Sequence, residues 1–200
     1  VSPHMVLHFD AGCKKSIAAL DQAMEENQRI FLVAQRDMDV DDPAVDDIYH
    51  VGTIACVKQV LRLPGGNVRL LVEGKSRAVL RAVTQEEPYF VGALDEVLEQ
   101  GTPVSIETDA LLRTAHHYFE EYCKMSGRIS GETMQSVLEI EDPGQLADII
   151  AANVLSKIED RQQVLEEFDE LARLESVCAL LVRETELAGV EKKVQARVRK

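Results

Sequence analysis

Asp142-Pro143-Gly144-Gln145-Leu146-Ala147-Asp148-Ile149-Ile150-Ala151-Ala152-Asn153-Val154 opens with the signals of a helix start. Asp142 is an N-cap residue, Pro143 suits the first helical position, and Gln145 is placed to reach back and complete a capping box. Leu146, Ile149, Ile150 and Val154 recur at helical spacing and give the helix one apolar face. The same signals return downstream. Asp160 with Gln163 predicts a short helix carrying Val164, Leu165 and Phe168, and Asp169 predicts the cap of a much longer one. In that long helix Leu171, Leu174, Cys178, Leu181, Thr185 and Ala188 form a stripe. Val190, Val194 and Val198 continue it after a shift at Gly189, where the low helix propensity of glycine predicts a bend or joint. No Gly or Pro closes the pattern, and five of the last nine residues are basic (Lys192, Lys193, Arg197, Arg199, Lys200). The pattern therefore predicts a helix that runs on into a longer polypeptide.

Upstream, Thr108 to Met125 repeats Leu111 or Leu112, Ala115, Phe119 and Tyr122 as a core face until Gly127 stops it, and Thr133 to Ile140 reads as a short helix. The second half is thus an α-helical bundle ending in a long projecting helix. The first half reads differently. Met5 to Phe9 is a short strand, Lys14 to Asn27 a helix with Ile17, Leu20 and Met24 inward, and Ile30 to Ala34 an uninterrupted apolar run. Such a run predicts a central strand covered on both faces. Ile48 to Leu63 is a long strand that Pro64-Gly65-Gly66-Asn67 turns back into Val68 to Glu73, with Gly74 read as a turn residue. Arg77 to Val83 and Tyr89 to Leu98 complete a set of short strands suited to a small, partly closed β-barrel. Composition changes at Gly101-Thr102-Pro103, which divides the chain into a β domain at 1–101 and a helical domain at 102–200, an α+β organisation.

The 200 residues are 46% hydrophobic and 28% charged, ordinary values for a globular protein, and no stretch has the length and apolarity of a membrane span. The start lacks the layout of a signal peptide. Cys13, Cys56, Cys123 and Cys178 are widely spaced, which predicts reduced, mostly buried thiols in a cytoplasmic protein. Acidic residues outnumber Lys plus Arg by 35 to 22, giving a net charge of −13. A nucleic-acid ligand, which requires a phosphate-neutralising surface, is not expected.

Several stretches resemble a known family when taken together. Glu141-Asp142-Pro143-Gly144-Gln145-Leu146-Ala147-Asp148-Ile149-Ile150-Ala151 is followed by Leu165-Glu166-Glu167-Phe168-Asp169, Arg173-Leu174, and Val190-Glu191-Lys192-Lys193-Val194-Gln195-Ala196-Arg197-Val198. In the first half come Pro3-His4-Met5-Val6-Leu7, Lys15-Ser16-Ile17-Ala18-Ala19-Leu20, Leu32-Val33-Ala34-Gln35, Val51-Gly52-Thr53-Ile54-Ala55, and Leu71-Val72-Glu73-Gly74 with Arg77-Ala78. In this order and spacing they resemble the amino-terminal region of the bacterial ATP-dependent Lon protease family across nearly all of the chain. The resemblance implies a PUA-like β-barrel domain followed by the helical bundle. It implies a role in recognising unfolded or damaged polypeptides, support for a homo-oligomeric ring (a hexamer in the family), and delivery of substrate to downstream ATPase and protease domains. The Ser-Lys dyad, ATP and Mg belong, on this resemblance, to those downstream domains. The family's first strand precedes Pro3, so its absence here predicts an open sheet edge that invites pairing or swapping.

Features that imitate active sites do not hold together. Gly74-Lys75-Ser76 has the end of a phosphate-binding loop, but Arg69 stands where the first glycine is needed and a hairpin strand precedes it. Asp37, Asp39, Asp41 and Asp42 resemble the start of a calcium loop, but its sixth position is Asp42 and its twelfth Ile48. His116 and His117 are adjacent on a helix and diverge by about 100°. No catalytic, cofactor-binding or metal site is expected, which leaves binding. A receptor for unfolded protein needs an exposed apolar surface, and the expected contacts are Met38, Val40, Leu61, Leu63, Pro64, Tyr89 and Phe90. Val190, Val194 and Val198 are expected to touch another domain or a second copy. The competing reading is a stand-alone barrel-plus-bundle adaptor or regulator.

Overall fold

Alternating apolar residues in the first half and helical stripes in the second build two compact units. The computed structural model, which describes residues 1–199, divides into units Val1–Leu98 and Glu99–Lys200. Lys200, the last of the predicted basic residues, lies outside the described residues. Gly101-Thr102-Pro103 falls just inside the second unit.

The first unit contains β1 (Val6–Ala11), α1 (Lys14–Glu25), β2 (Arg29–Leu32), a single 3-10 turn at Val45–Asp47, β3 (Val51–Arg62), β4 (Val68–Gln85) and β5 (Val91–Val97). All strand pairings are antiparallel, in the order β1-β4-β3-β2 with β5 also on β4. α1 lays Ile17, Leu20 and Met24 on one face of the sheet, against Val57, Val68, Leu70 and Val72, which is where this unit's core lies. Lys15 and Asp21 anchor the helix at its rim through Glu87 at 3.0 Å and Arg62 at 2.5 Å.

Four expectations are corrected here. The sheet is open and does not form a partly closed barrel, because β4 gives its first half to β1, its second half to β5, and its other edge to β3. Val68 to Glu73 and Arg77 to Val83 are accordingly one strand. Gly74 is no turn residue: it lies inside β4 beside a register shift, and its missing side chain makes room for the Ser2 carbonyl, which a Cβ would strike. Finally, Ile30 to Ala34 is not central. Among the described residues β2 pairs only with β3, and it ends at Leu32.

The second unit contains α2 (Ile106–Ser126), α3 (Gly131–Leu138), α4 (Pro143–Val154), α5 (Ile158–Glu166) and α6 (Glu170–Val198). Side-chain oxygens cap four of these helices: Ser105 accepts from the Thr108 N–H, Ser130 from Thr133, Asp142 from Gln145 and Asp169 from Ala172. Each such cap is worth about 1 kcal/mol. Gly127, with φ of 65°, ends α2 in the left-handed conformation that glycine adopts without strain. α4 is buried on more than the single predicted face, since Ala147, Asp148 and Ala151 join Leu146, Ile150 and Val154. The two alanines add no bulk, so neighbouring helices approach closely.

α5 starts at Ile158, three residues after Leu155 caps α4, rather than at Asp160. Phe168 lies beyond its end and is exposed. Asp160 instead pairs with Arg183 of α6. α6 continues as one helix through Gly189, where Met125 of α2 packs 3.7 Å from the position of a Gly189 Cβ and Arg128 holds Glu191 at 3.0 Å. From Lys192 to Arg199 every residue is exposed. The predicted stripe also missed Val177 and Leu180, which are buried with Leu174, Cys178 and Leu181.

The guanidinium of Arg173 is fully buried. It donates to Glu99 at 2.8 Å, to Asp148 at 3.5 Å, and to the carbonyls of Glu167 at 2.9 Å and Phe168 at 3.4 Å. Asp148 also has no exposed side-chain surface. Nearby, Glu170 accepts from the Thr102 hydroxyl at 2.7 Å. Burial raises the Glu170 pKa above the ordinary glutamate value, the Thr102 hydrogen bond opposes this, and Glu99 and Asp142 reinforce it. Burial likewise raises Cys123, and pushes the Cys178 thiol to about 11. Both are inert packing groups at neutral pH.

Two outcomes follow for the helical unit. Arg173→Met leaves the Asp148 carboxylate buried without its cation, so urea unfolding followed by helical circular dichroism should show a loss of about 3–5 kcal/mol. The raised Glu170 pKa means the native state holds that proton more tightly than the unfolded chain. Stability from this group is therefore present below the ordinary glutamate range and declines as pH rises through it and through the raised native value. Glu170→Gln should gain stability relative to the natural chain as pH moves from below that range to neutrality; an unchanged difference in urea midpoint would contradict the assignment.

Candidate functional site

The expected contact residues do not form one surface. Met38 and Val40 lie in the acidic loop between β2 and β3, with Met38 65% exposed, whereas Leu61, Leu63 and Pro64 sit at the β3–β4 turn. Tyr89 and Phe90 precede β5 and are only half-exposed. The Lys15 ammonium stacks 4.6 Å from the centre of the Phe90 ring, pairs with Glu87, and feels Asp42 of the acidic loop. Its pKa is raised, first by the Glu87 hydrogen bond. Lys15 thus ties α1 to the β4–β5 turn. The hairpin turn is tied elsewhere, through Arg62 to Asp21 and through Arg69 to Asp10 at 2.8 Å.

The imitations of active sites resolve into structure. Lys75 lies in a strand and pairs with Glu73 at 2.9 Å, while Lys58 reaches the same carboxylate at 3.1 Å, so this segment lacks the loop-to-helix geometry that cradles phosphate. Asp37 accepts from the Asp39 N–H at 2.9 Å and is engaged in its own turn. His116 bonds the Ile140 carbonyl at 2.9 Å, and His117 pairs with Glu121 at 3.3 Å on the surface.

What the structure does assemble is a groove of about 350 Å³ lined by Asn27, Arg29, Ile30, Phe31, Ile54, Leu94 and Glu96. It lies around the β2 edge and on the sheet face opposite α1. Phe31 is directly across from Ile54 in the β2–β3 register. Gly52 admits the Phe31 ring, because a Cβ there would come within 2.7 Å of it and would meet the Leu32 carbonyl. On the far side, Glu96 accepts from the Ser76 hydroxyl at 2.7 Å, which holds its carboxylate at the rim. The floor is apolar and half-exposed. None of Phe31, Ile54 or Leu94 was among the expected contacts, although the signal was present. An apolar run of five residues was read as covered on both faces, and in an edge strand the same run leaves one face to be covered by something else.

A second cleft of about 490 Å³ in the helical unit is lined by Tyr122, Arg128, Ser130, Thr133, Asn153, Ser156 and Arg161, among others. Ile129, Val154 and Leu155 also line it, but polar side chains predominate, and both arginines are engaged, Arg128 with Glu191 and Arg161 with the Leu155 carbonyl at 2.7 Å. It suits structural hydrogen bonding better than apolar recognition. Among the described residues no helix is long and apolar enough to cross a membrane.

Comparison with known proteins places this geometry in context. The model of the ATP-dependent protease La (LON) substrate-binding domain matches residues 1–183. The chain is 46% identical over its whole length to the Lon protease of Desulforamulus reducens and 40% identical to Lon protease 1 of Bacillus subtilis. It spans 25% and 26% of the length of those two relatives. The N-terminal domain of the Mycobacterium avium complex Lon protease superposes with a TM-score of 0.70 at 26% identity, covering 93% of this chain and 92% of that one. A Lon N-terminal domain protein from Xanthomonas campestris shares the fold at a TM-score of 0.63 and 12% identity, over 90% and 91% of the two chains. With the family model spanning both units and the match to solved Lon N-terminal domains running through sheet and bundle alike, the chain belongs to the Lon substrate-binding domain family and corresponds to the amino-terminal region of a Lon protease.

Proposed function

We propose that this chain is the receptor region of an ATP-dependent, Lon-type serine protease and binds unfolded or damaged polypeptides ahead of their degradation. The observation that carries the reading is the groove floored by the half-buried Phe31, Ile54 and Leu94 on the sheet face opposite α1, in a chain whose family is described by substrate binding. Folded proteins bury the apolar segments that such a groove accepts, whereas unfolded ones present them. Met38 and Val40 in the acidic loop form a second contact zone, Tyr89 and Phe90 beside Lys15 a third, and Leu61, Leu63 and Pro64 at the hairpin turn a fourth. The chain itself binds without catalysing. ATP, Mg and the Ser-Lys proteolytic dyad act in ATPase and protease domains to which α6 connects, with Val190, Val194 and Val198 as its contacts toward those domains or toward neighbouring subunits of a hexameric ring in the cytoplasm.

Titration of the isotope-labelled chain with denatured and native forms of one protein tests this. The denatured form should shift resonances of Phe31, Ile54 and Leu94 with an affinity of about micromolar to millimolar, since a single small groove offers limited area. Phe31→Ser should weaken that binding about tenfold through the loss of one buried aromatic contact. Equal shifts with the native form would overturn the reading, and so would an absence of shifts with either form.

A further inference from the structure

The groove has a backbone component that its side chains do not reveal. In the β2–β3 ladder Arg29 faces Cys56, Ile30 faces Ala55, Phe31 faces Ile54 and Leu32 faces Thr53. The Val57 N–H donates to the Gln28 carbonyl at 2.7 Å. Hydrogen-bonded pairs alternate along an antiparallel ladder, so the Gln28 carbonyl and the backbone groups of Ile30 and Leu32 face β3, the Gln28 N–H being given to the Ala23 carbonyl at 2.8 Å, while Arg29 and Phe31 direct theirs to the outer edge. The Arg29 N–H is already satisfied by the Asn27 side chain at 3.0 Å. The Arg29 carbonyl and both backbone groups of Phe31 remain facing outward, and among the described residues no strand pairs this edge. The side chain of Phe31 meanwhile sits in the groove with Ile54 and Leu94.

Resting on the reading above, we propose that substrate is bound by strand addition. An extended polypeptide segment lies along the outer edge of β2, exchanges backbone hydrogen bonds with Phe31, and sets its alternate apolar side chains into the Phe31-Ile54-Leu94 groove. Backbone pairing supplies sequence-independent affinity and the groove selects apolar residues at every second position. β2 has four residues, so the paired segment is short. Beyond Leu32 the chain enters a loop with six aspartates (Asp37, Asp39, Asp41, Asp42, Asp46 and Asp47), and the whole chain carries a net charge of −13. An apolar segment with lysine or arginine at the end nearer that loop therefore fits this edge better than one with a carboxylate there, Arg29 standing at the opposite end, and the net charge favours a basic segment as a whole. The β1 edge is also open, but Val6, His8 and Asp10 stand exposed along it.

The test uses the whole 200-residue chain and a short synthetic peptide of alternating valine and threonine with a lysine at each end. The same peptide with every amide N-methylated cannot donate backbone hydrogen bonds but keeps its side chains. The unmodified peptide should slow hydrogen exchange at the Phe31 amide and shift the methyl resonances of Ile54 and Leu94; N-methylation should weaken binding about tenfold or more, the equivalent of one to two hydrogen bonds. Exchanging both lysines for glutamate should also weaken it, and added salt should narrow that difference. Equal binding of the two peptides would mean that side chains alone are read, and overturns strand addition. Shifts confined to β1, or to Met38, Tyr89 and Phe90, overturn the location. Protection of the Phe31 amide that grows with protein concentration in the absence of peptide overturns the proposal in favour of a second copy of the chain. If denatured protein still binds while the peptide leaves Phe31 unprotected, strand addition fails and the receptor reading stands; if denatured protein does not bind either, both fail.

Discussion

The eighteen residues of β4 are shared among three neighbours, and the consequences reach every part of the first unit. Antiparallel strands have two edges each, so with β3 along one edge of β4, β1 and β5 must divide the other between them. The register shifts within β3–β4 and β4–β5 let one long strand serve both halves of the sheet without a turn. Gly74 sits at one of these shifts, where the Ser2 carbonyl crosses it and the Val1 carbonyl accepts from the Thr53 hydroxyl at 2.5 Å. The amino-terminal residues thus pack against the point where β4 changes partners. With β4 fully engaged and β3 placed between β4 and β2, β2 is left with one partner and an outward edge.

The helical unit depends on a different constraint. Desolvating a guanidinium costs several kcal/mol unless partners replace its water, and Arg173 is supplied with two carboxylates and two carbonyls. Those partners come from the segment ahead of α2, from α4, and from the turn between α5 and α6. A buried pair of this kind adds little net stability over a well-packed apolar substitute, yet it penalises any arrangement that leaves one charge alone. It acts mainly on specificity, by fixing which face of α4 meets α6. The Asp142 and Asp169 caps begin both helices near this site, and the apolar core of Leu146, Ile150, Leu174, Val177 and Leu181 supplies the bulk of the stabilisation.

Local rules carried the helices well because their signals are local. Asp142, Asp169 and Gly127 each act within a few residues of themselves, and the structure uses all three as caps. Gly74 and Ile30 to Ala34 were misread for the opposite reason: whether a strand is central or at an edge, and whether a glycine marks a turn or a close crossing, is decided by partners tens of residues away. Arg173 was legible as part of a resemblance but not as a buried ion-pair centre, since Glu99 and Asp148 lie at unrelated sequence separations. The groove was missed by the same route. Phe31, Ile54 and Leu94 come from three strands, each pattern being that of an ordinary strand, and only the pairing of β2 with β3, β3 with β4 and β4 with β5 brings them to one groove. Gly189 does not interrupt α6. Its propensity cost of about 1 kcal/mol is small beside the packing of α2 along α6 and the Arg128–Glu191 pair next to it.

An edge strand beside an apolar groove measures a property of the ligand that no single side chain encodes. A folded protein presents few bare strand edges and few long apolar runs, because natural sheets cover or charge their edges and cores bury their apolar residues. An unfolded chain presents both along the same few residues, with backbone donors on the outside and alternate side chains free to turn inward. A site that requires the two together therefore discriminates by state of folding and tolerates wide variation in sequence. The short length of β2 works in the same direction. Four residues pair too few groups to hold a ligand tightly, so an unfolded segment is caught and released readily, and retention must come from several such contacts acting at once. A longer, flatter edge would bind more strongly but would also pair with copies of itself. Arg29 at the groove and the aspartate-rich loop beyond Leu32 place charge at both ends of this edge, the arrangement by which exposed strands resist indiscriminate pairing while the segment between them stays open.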